Sequence, residues 1–287
     1  LSRRAQPPCS LCQNEGEIMT SFRDLHVKGA PFILANCWDC GSALMLENLG
    51  AQALATSSAA YAFTLGRPDG GTVTRDESLA HAADILGVTT LPVQGDFENG
   101  FGDDPETCAQ TVRLAAEIGL AGICIEDIAF PADTAYDFDL AVERIRAAAS
   151  AARALPHDFV LTARADGIMT GHYDSDEALR RLLAFEAAGA DCLYAPALPD
   201  LATVTRVCAA TTAPVNVLVA GPMAHHDLAH FATAGAARLS LGSALARVTH
   251  RAINDAATAM LGAGQFGALT GAMPGTAVDR LLAKNRD

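Results

Sequence analysis

Eight short, continuously apolar runs recur along the chain, and they constrain its fold more than any other feature. They are Pro31–Trp38, Ala53–Ser57, Pro92–Glu98, Gly122–Glu126, Phe159–Arg164, Cys192–Pro196, Val215–Val219 and Arg238–Leu241. Unbroken apolarity, rather than alternation, suits parallel strands covered on the outside. Between most of them, apolar residues recur at helical spacing, as in Asp76–Leu86, Pro105–Ile118, Phe138–Leu155, Asp176–Ala188 and Leu201–Ala210. Thr74-x-x-Glu77 reads as a capping box. Asp104-Pro105 reads as an N-cap followed by proline at the first helical position. Gly50, Gly87, Gly119, Gly189 and Gly235 stand where a helix gives way to a strand, and each is expected in the left-handed conformation that ends a helix. Eight βα units without a linker, in 287 residues, predict an α/β fold of the (β/α)8 barrel type. The alternative, a doubly wound open sheet, wants a glycine-rich dinucleotide turn after the first strand. The chain has Cys37-Trp38-Asp39-Cys40-Gly41-Ser42 there instead.

The barrel is expected over residues 19–262. Residues 1–18 lack periodicity and read as a disordered or non-native extension, with Met19 as the natural start. After a helix near Ser243–Leu261, a glycine-rich stretch leads to a short helix near Thr276–Ala283. This extension, residues 263–287, is expected either to pack on a partner subunit of a homodimer or homotetramer or to fray. No apolar run approaches the ~20 residues of a membrane span, so no membrane partner is expected. The formal charge of −13 is the reverse of a nucleic-acid binder's footprint. It would also repel an anionic substrate unless a metal or an arginine supplies local positive charge. The cysteines lack disulfide-scaffold density and no secretory signal is visible, which points to a reducing cytoplasm. The C-x-x-C pairs Cys9/Cys12 and Cys37/Cys40 allow a zinc site. A polar tail and a buried strand end account for them more simply.

In a barrel of this kind the site lies at the C-terminal ends of the strands. Polar residues there are Ser57-Ser58, the loop Gly66-Arg67-Pro68-Asp69, Asp96-Phe97-Glu98-Asn99, Glu126-Asp127, Arg164-Ala165-Asp166 and Asn216. Asp96 and Glu98 are two apart, so they are expected on one strand face, about 6–7 Å apart. With Glu126 and Asp69 they bring four carboxylates to one mouth, where they cannot all stay ionised without a cation. An all-oxygen set with no nearby Cys or His points to Mg²⁺ or Mn²⁺, with several of the acids holding metal-bound waters. Helix capping or pairing with rim arginines is the competing account of each acid taken singly. Arg164 ends an apolar strand and needs an anion, either the carboxylate cluster or a substrate carboxylate gripped by its bidentate fork. The i, i+4 pair His226/His230 allows a metal site, but without a third ligand it reads as an exposed helix face.

The motifs Asp96-Phe97-Glu98-Asn99-Gly100-Phe101-Gly102, Ile125-Glu126-Asp127 and Ser57-Ser58-Ala59…Gly66-Arg67-Pro68-Asp69 resemble those of the isocitrate lyase/phosphoenolpyruvate mutase superfamily over residues 22–283. The resemblance implies a barrel enzyme acting on a small 2-oxo carboxylate and its enol form. It implies Asp96 as the direct Mg²⁺ ligand, with Glu98, Glu126 and Asp69 holding the metal's waters. Ser57, Ser58 and Ala59 would donate to the substrate, Arg164 would hold its carboxylate or enolate oxygen, and Asn216 would line the pocket. Asp96, Arg164 and Glu126 are thus the implied catalytic set. Family members also exchange their last helix between subunits. The family's lyases carry a Lys-Lys/Arg-Cys-Gly-His loop after the fourth strand. This chain reads Glu126-Asp127-Ile128-Ala129-Phe130-Pro131-Ala132-Asp133-Thr134 there, without cysteine, histidine or lysine. The mutase loop, with its lysine and asparagine, is missing too. Chemistry that needs only a stabilised enolate, decarboxylation of a 2-oxo dicarboxylate such as oxaloacetate or another C–C lyase reaction, is therefore the expected activity. A methylisocitrate or substituted-malate lyase with another acid/base, and a 2-oxo acid binding protein without turnover, are the alternatives.

Overall fold

Each apolar run carries a strand in the computed structural model, which describes residues 21–283. The strands are β1 Phe32–Asn36, β2 Leu54–Ala55, β3 Val93–Asp96, β4 Gly122–Glu126, β5 Val160–Arg164, β6 Cys192–Tyr194, β7 Val215–Leu218 and β8 Arg238–Ser240. They pair in parallel in chain order, and β1 pairs with β8 to close the ring. The helices are α1 Cys40–Asn48, α2 Ser58–Thr64, α3 Arg75–Leu86, α4 Pro105–Glu117, α5 Phe138–Arg153, α6 Gly167–Thr170, α7 Ser175–Ala187, α8 Leu201–Ala210, α9 Leu228–Thr233, α10 Ala244–Ala263 and α11 Gly275–Leu282. This is the (β/α)8 barrel. The proposed extension 1–18, with Cys9 and Cys12, lies outside the described residues.

The local signals account for the element ends. Thr74 and Glu77 form the reciprocal capping box. Asp104 accepts from the Glu106 N–H, with Pro105 in the first turn of α4. Gly50, Gly119, Gly189 and Gly235 have φ of 96°, 96°, 106° and 88°. Gly87 departs from expectation, at φ −66°. It is itself the cap of α3, its N–H still bonded to the Ala83 carbonyl at 3.0 Å. It thus stands one residue nearer the helix than the other four glycines, before the chain reverses.

Two apolar regions hold the fold. Between strands and helices lies a continuous core that includes Val112, Ile123, Ile145, Leu161, Phe185 and Val204, each such side chain contributing about 1.5–3 kcal/mol by leaving water. Inside the ring a smaller cluster, Phe32, Leu34, Ala55, Val160 and Cys192, is joined by Phe22 from the segment preceding β1. One flank is uncovered. α10 buries only Ala246, while Ile33 on β1 stays 48% exposed. α11 instead returns to α1, where Asn48 Nδ2 donates to the Leu281 carbonyl at 3.0 Å. Among the described residues no helix is long and apolar enough to cross a membrane.

Candidate active site

The strand ends bring the predicted residues to one mouth. β3 stops at Asp96, whose carboxylate meets four donors. Oδ2 accepts from the backbone N–H and the hydroxyl of Ser58, each at 2.9 Å. Oδ1 accepts from Arg164 Nη1 at 2.7 Å and from the Cys124 thiol at 3.2 Å. Ser57 caps α2, its hydroxyl accepting from the Ala60 N–H at 3.3 Å. Ser58 therefore directs its amide at Asp96, while Ser57 and Ala59 line the cavity beside it.

Arg164, buried at the end of β5, is gripped from three sides. Its Nη2 and Nε donate to Asp166 Oδ2 and Oδ1 at 2.7 and 3.2 Å, and Nη2 lies 3.4 Å from Glu126 Oε2. The guanidinium sits 5.1 Å from the Tyr194 ring. Asp166 is held in turn, since its N–H donates to Asp127 Oδ1 at 2.8 Å. Asp127 Oδ2 accepts from the Tyr173 hydroxyl at 2.7 Å and from Arg181 at 3.0 Å. Of the two partners expected for Arg164, the structure shows the carboxylate cluster.

Glu98 does not follow strand alternation. β3 has ended at Asp96, and Glu98 has a left-handed φ of 44°, so the expectation of a shared strand face fails. The loop is held by Arg144 of α5, which donates to the Asn99 and Gly102 carbonyls. The turn points Glu98 at the neighbouring loop, where Oε1 accepts from the Gly71 N–H at 3.0 Å. Asp69 accepts from the Gly70 N–H at 2.9 Å.

Two cavities share this mouth. Asp69, Asp96, Arg164, Asn216 and the Ser57–Ala59 turn line one of about 260 Å³. Asp69, Glu98, Glu126 and Arg164 line the other, of about 380 Å³. A wider groove of about 580 Å³ runs past Arg75 and Gln110, and Glu98 and Asn99 reach it. Asn216 is fully buried, its Oδ1 accepting from Arg238 at 2.9 Å and its Nδ2 donating to Ser240 at 2.8 Å. The His226 and His230 rings lie 5.6 Å apart, tilted at 58° to each other, and His230 serves the N-cap of α9.

The carboxyl groups repel one another. Burial first, then the Asp96 charge, raises Asp69. Burial, opposed by the Gly71 amide and reinforced by Asp96 and Asp69, lifts Glu98 to about 7. Burial pushes Glu126 well above the usual range, with Arg164 opposing and Asp166 and Asp96 adding to it. Burial opposes the Arg164 charge, yet Asp166, Glu126 and Asp96 hold it well above its ordinary value. Such a set, all oxygen and mutually repelling, has the donor chemistry of a hard divalent cation. Among the described residues no three His, Cys, Asp or Glu side chains converge closely enough to hold a metal ion. Contacts through water do not require that convergence, so the residues fit one direct ligand with water-mediated neighbours.

Sequence reasoning left three participants unassigned. Cys124, within the apolar run of β4, is buried, yet its thiol meets Asp96. Asp166 was visible two residues after Arg164, but its pairing depends on the fold. Arg238 opens an apolar run just as Arg164 closes one, and the same argument from a charge in a buried strand points to it.

Comparison with known proteins adds a family match and three relatives. Residues 22–261 match the family model of phosphoenolpyruvate phosphomutase. A solved structure from Burkholderia cenocepacia J2315, provisionally described as a lyase/mutase, superposes with a TM-score of 0.87 at 45% identity, covering 93% of this chain and 96% of that one. Escherichia coli 2-methylisocitrate lyase is 31% identical over 203 residues, 68% of this chain and 67% of that protein. Chromohalobacter salexigens oxaloacetate decarboxylase is 26% identical over 229 residues, 77% of this chain and 78% of that protein.

Proposed function

From the premise that this chain belongs to the phosphoenolpyruvate phosphomutase family, within the isocitrate lyase/phosphoenolpyruvate mutase superfamily, and is an enzyme of its carbon–carbon lyase type, we propose that it decarboxylates a small 2-oxo dicarboxylate such as oxaloacetate. One observation carries the reading. The site holds a preorganised Arg164 beside Asp96, but the loop at 127–134 offers no cysteine, histidine or lysine as a proton donor. Its Asp127 is locked against Arg181 and Tyr173, and its Asp133 is exposed. Decarboxylation suits such a site, because the departing CO₂ needs no proton.

Arg164 is held by Asp166, so its orientation costs nothing at the moment of reaction. Its weakest contact, Nη1 to the Cys124 sulfur at 3.8 Å, is the donor most readily turned to a developing enolate oxygen. Ser57 and Ala59 line the same cavity and orient the substrate, and Asn216 lines it as well. The bond between C3 and the departing carboxylate breaks, its electron pair enters the enolate, and water returns a proton to C3. Asp96 directly, with Glu98, Glu126 and Asp69 through water, would hold Mg²⁺ or Mn²⁺, which when bound supplies a Lewis acid toward the 2-oxo carboxylate.

A lyase acting on 2-methylisocitrate or a substituted malate is the second reading, supported by the Escherichia coli relative. It needs an acid/base, and the cavity-lining Cys124 is poorly suited, since burial and then the Asp96 charge push its thiol up. We further read α10 as a subunit contact of a homodimer or homotetramer. Val248, Ile253 and Leu261 on α10 are exposed at 64%, 64% and 87%, beside the uncovered β1.

The test is a panel of 2-oxo dicarboxylates and 2-hydroxy acids, assayed with Mg²⁺ and with EDTA. Oxaloacetate should yield CO₂ and pyruvate, and chelation should abolish the reaction. Turnover confined to the 2-hydroxy acids would replace this reading with the lyase. Binding of 2-oxo acids without any turnover would replace it with a binding protein.

A further inference from the structure

Arg238 opens β8 on the inside of the barrel and is only 1% exposed. A guanidinium buried so deeply ordinarily meets a carboxylate, because an unpaired buried charge is costly. Its contacts among the described residues are all neutral. Nε donates to Asn216 Oδ1 at 2.9 Å, and Nη1 to Gln94 Oε1 at 2.6 Å. Nη1 also meets His26 Nε2 at 3.1 Å, and Nη2 donates to Thr162 Oγ1 at 3.1 Å. Burial first, and then the Arg238 charge itself, lowers His26 to about 3, so that ring faces the arginine as a neutral acceptor. The positive charge is therefore uncompensated. It lies one side-chain layer below the mouth, because Gln94 and Thr162 precede Asp96 and Arg164 by two residues on their strands.

These contacts fix two carboxamides. Arginine can only donate, so the groups facing it must be oxygens. With its Oδ1 on Arg238, Asn216 turns its Nδ2 the other way, onto Ser240. With its Oε1 on Arg238 and on the Thr162 hydroxyl, which donates at 3.3 Å, Gln94 turns its Nε2 away as well. That nitrogen has no protein acceptor among the described residues. No fully buried side-chain nitrogen or oxygen lacks a partner there, so Nε2 has open surface. The open space that Gln94 lines is the 260 Å³ cavity.

We propose that Arg238 is a positioning residue that turns the amide nitrogen of Gln94 toward this cavity, while Asn216 holds Ser240 beside it, making its floor a carboxylate subsite for one end of a short dicarboxylate. The assignment rests on reading the cavity as the substrate site. Arg164, already matched by Asp96, Asp166 and Glu126, cannot balance a further carboxylate. Arg238 supplies charge from beneath through the Gln94 amide that faces the ligand, and Arg247, which also lines the cavity, adds to it.

Malonate, a short dicarboxylate without a 2-oxo group, is the probe. It is titrated calorimetrically into the full chain in EDTA, for wild type, Gln94→Glu, Gln94→Met and Arg238→Lys. Gln94→Glu is the decisive variant, since its carboxylate would pair with Arg238 and keep the floor folded while cancelling its charge. Binding should weaken about tenfold or more in Gln94→Glu, less in Gln94→Met, and least in Arg238→Lys, which keeps the charge. Malonate binding by Gln94→Glu within about twofold of wild type, or no binding by wild type, overturns the subsite. Oxaloacetate turnover runs in parallel, and the subsite requires Gln94→Glu to raise KM more than it lowers kcat. A fall in kcat with KM unchanged overturns it. If wild type turns over no oxaloacetate but malonate binding still collapses in Gln94→Glu, the decarboxylase reading falls and the subsite stands.

Discussion

Replacing Asp166 by asparagine tests whether the site is preorganised as its geometry indicates. The side chain is fully buried and nearly isosteric with asparagine, so the substitution opens no cavity and isolates charge and hydrogen bonding. Asp166 accepts from Arg164 at 2.7 and 3.2 Å. Charge-assisted bonds of this kind contribute about 1.5–3 kcal/mol each. An amide keeps one acceptor and turns its NH₂ toward the other guanidinium nitrogen, setting donor against donor. One effect works the other way. Part of what raises Glu126 is the Asp166 charge, so Glu126 would ionise more readily and take over some of the pairing. It lies 3.4 Å from Arg164, too far for a strong bond, and recovers less than one such bond. The net loss should be about 2–3 kcal/mol at neutral pH, toward the lower end for a broken buried pair. Urea unfolding of wild type, Asp166→Asn, Arg164→Met and the double variant measures it as a cycle, with an expected coupling of about 2 kcal/mol. A destabilisation under about 0.5 kcal/mol, or a coupling near zero, would refute the idea that Asp166 holds Arg164.

Three further outcomes follow from the same geometry. Asp96→Ala should lower metal-dependent oxaloacetate turnover by about 10²-fold or more, and unchanged turnover would remove Asp96 from the mechanism. His26 sits at about 3 in the fold against about 6.5 unfolded. The folded state therefore binds fewer protons below pH 6.5, and stability that is complete above 6.5 is lost as pH falls toward 3. Between pH 7.5 and 5 this amounts to at most about 2 kcal/mol. His26→Asn should lose less in urea titrations at those two pH values, and equal losses would exclude His26 as the cause. Light scattering should find two or four chains per particle, with Ile253→Glu shifting the distribution downward. A monomer at every concentration would rule out the α10 contact.

How much was legible in the sequence depended on how local the cause was. Strand positions were legible because a strand covered on the outside must be apolar at successive residues, and β4 Gly122–Glu126 coincides with its run. Caps were legible because Thr74 and Glu77 act within one turn. Gly87 was misjudged by a single residue of register, which decides whether a glycine continues the last turn or reverses it. Glu98 was misjudged because alternation was extended past the end of β3, where φ becomes positive.

By itself, then, the sequence determined the barrel and the mouth at which its polar residues gather. Both depend on periodicity and on which end of a strand a residue occupies. Only the tertiary structure decided the partners. Asp96 meets Cys124 across 28 positions, Arg164 meets Asp96 across 68, and Arg238 meets Gln94 across 144. Ring closure sets those pairings. Whether a buried arginine is matched by a carboxylate, as Arg164 is, or left uncompensated among amides, as Arg238 is, depends on which strands the closed barrel turns toward it.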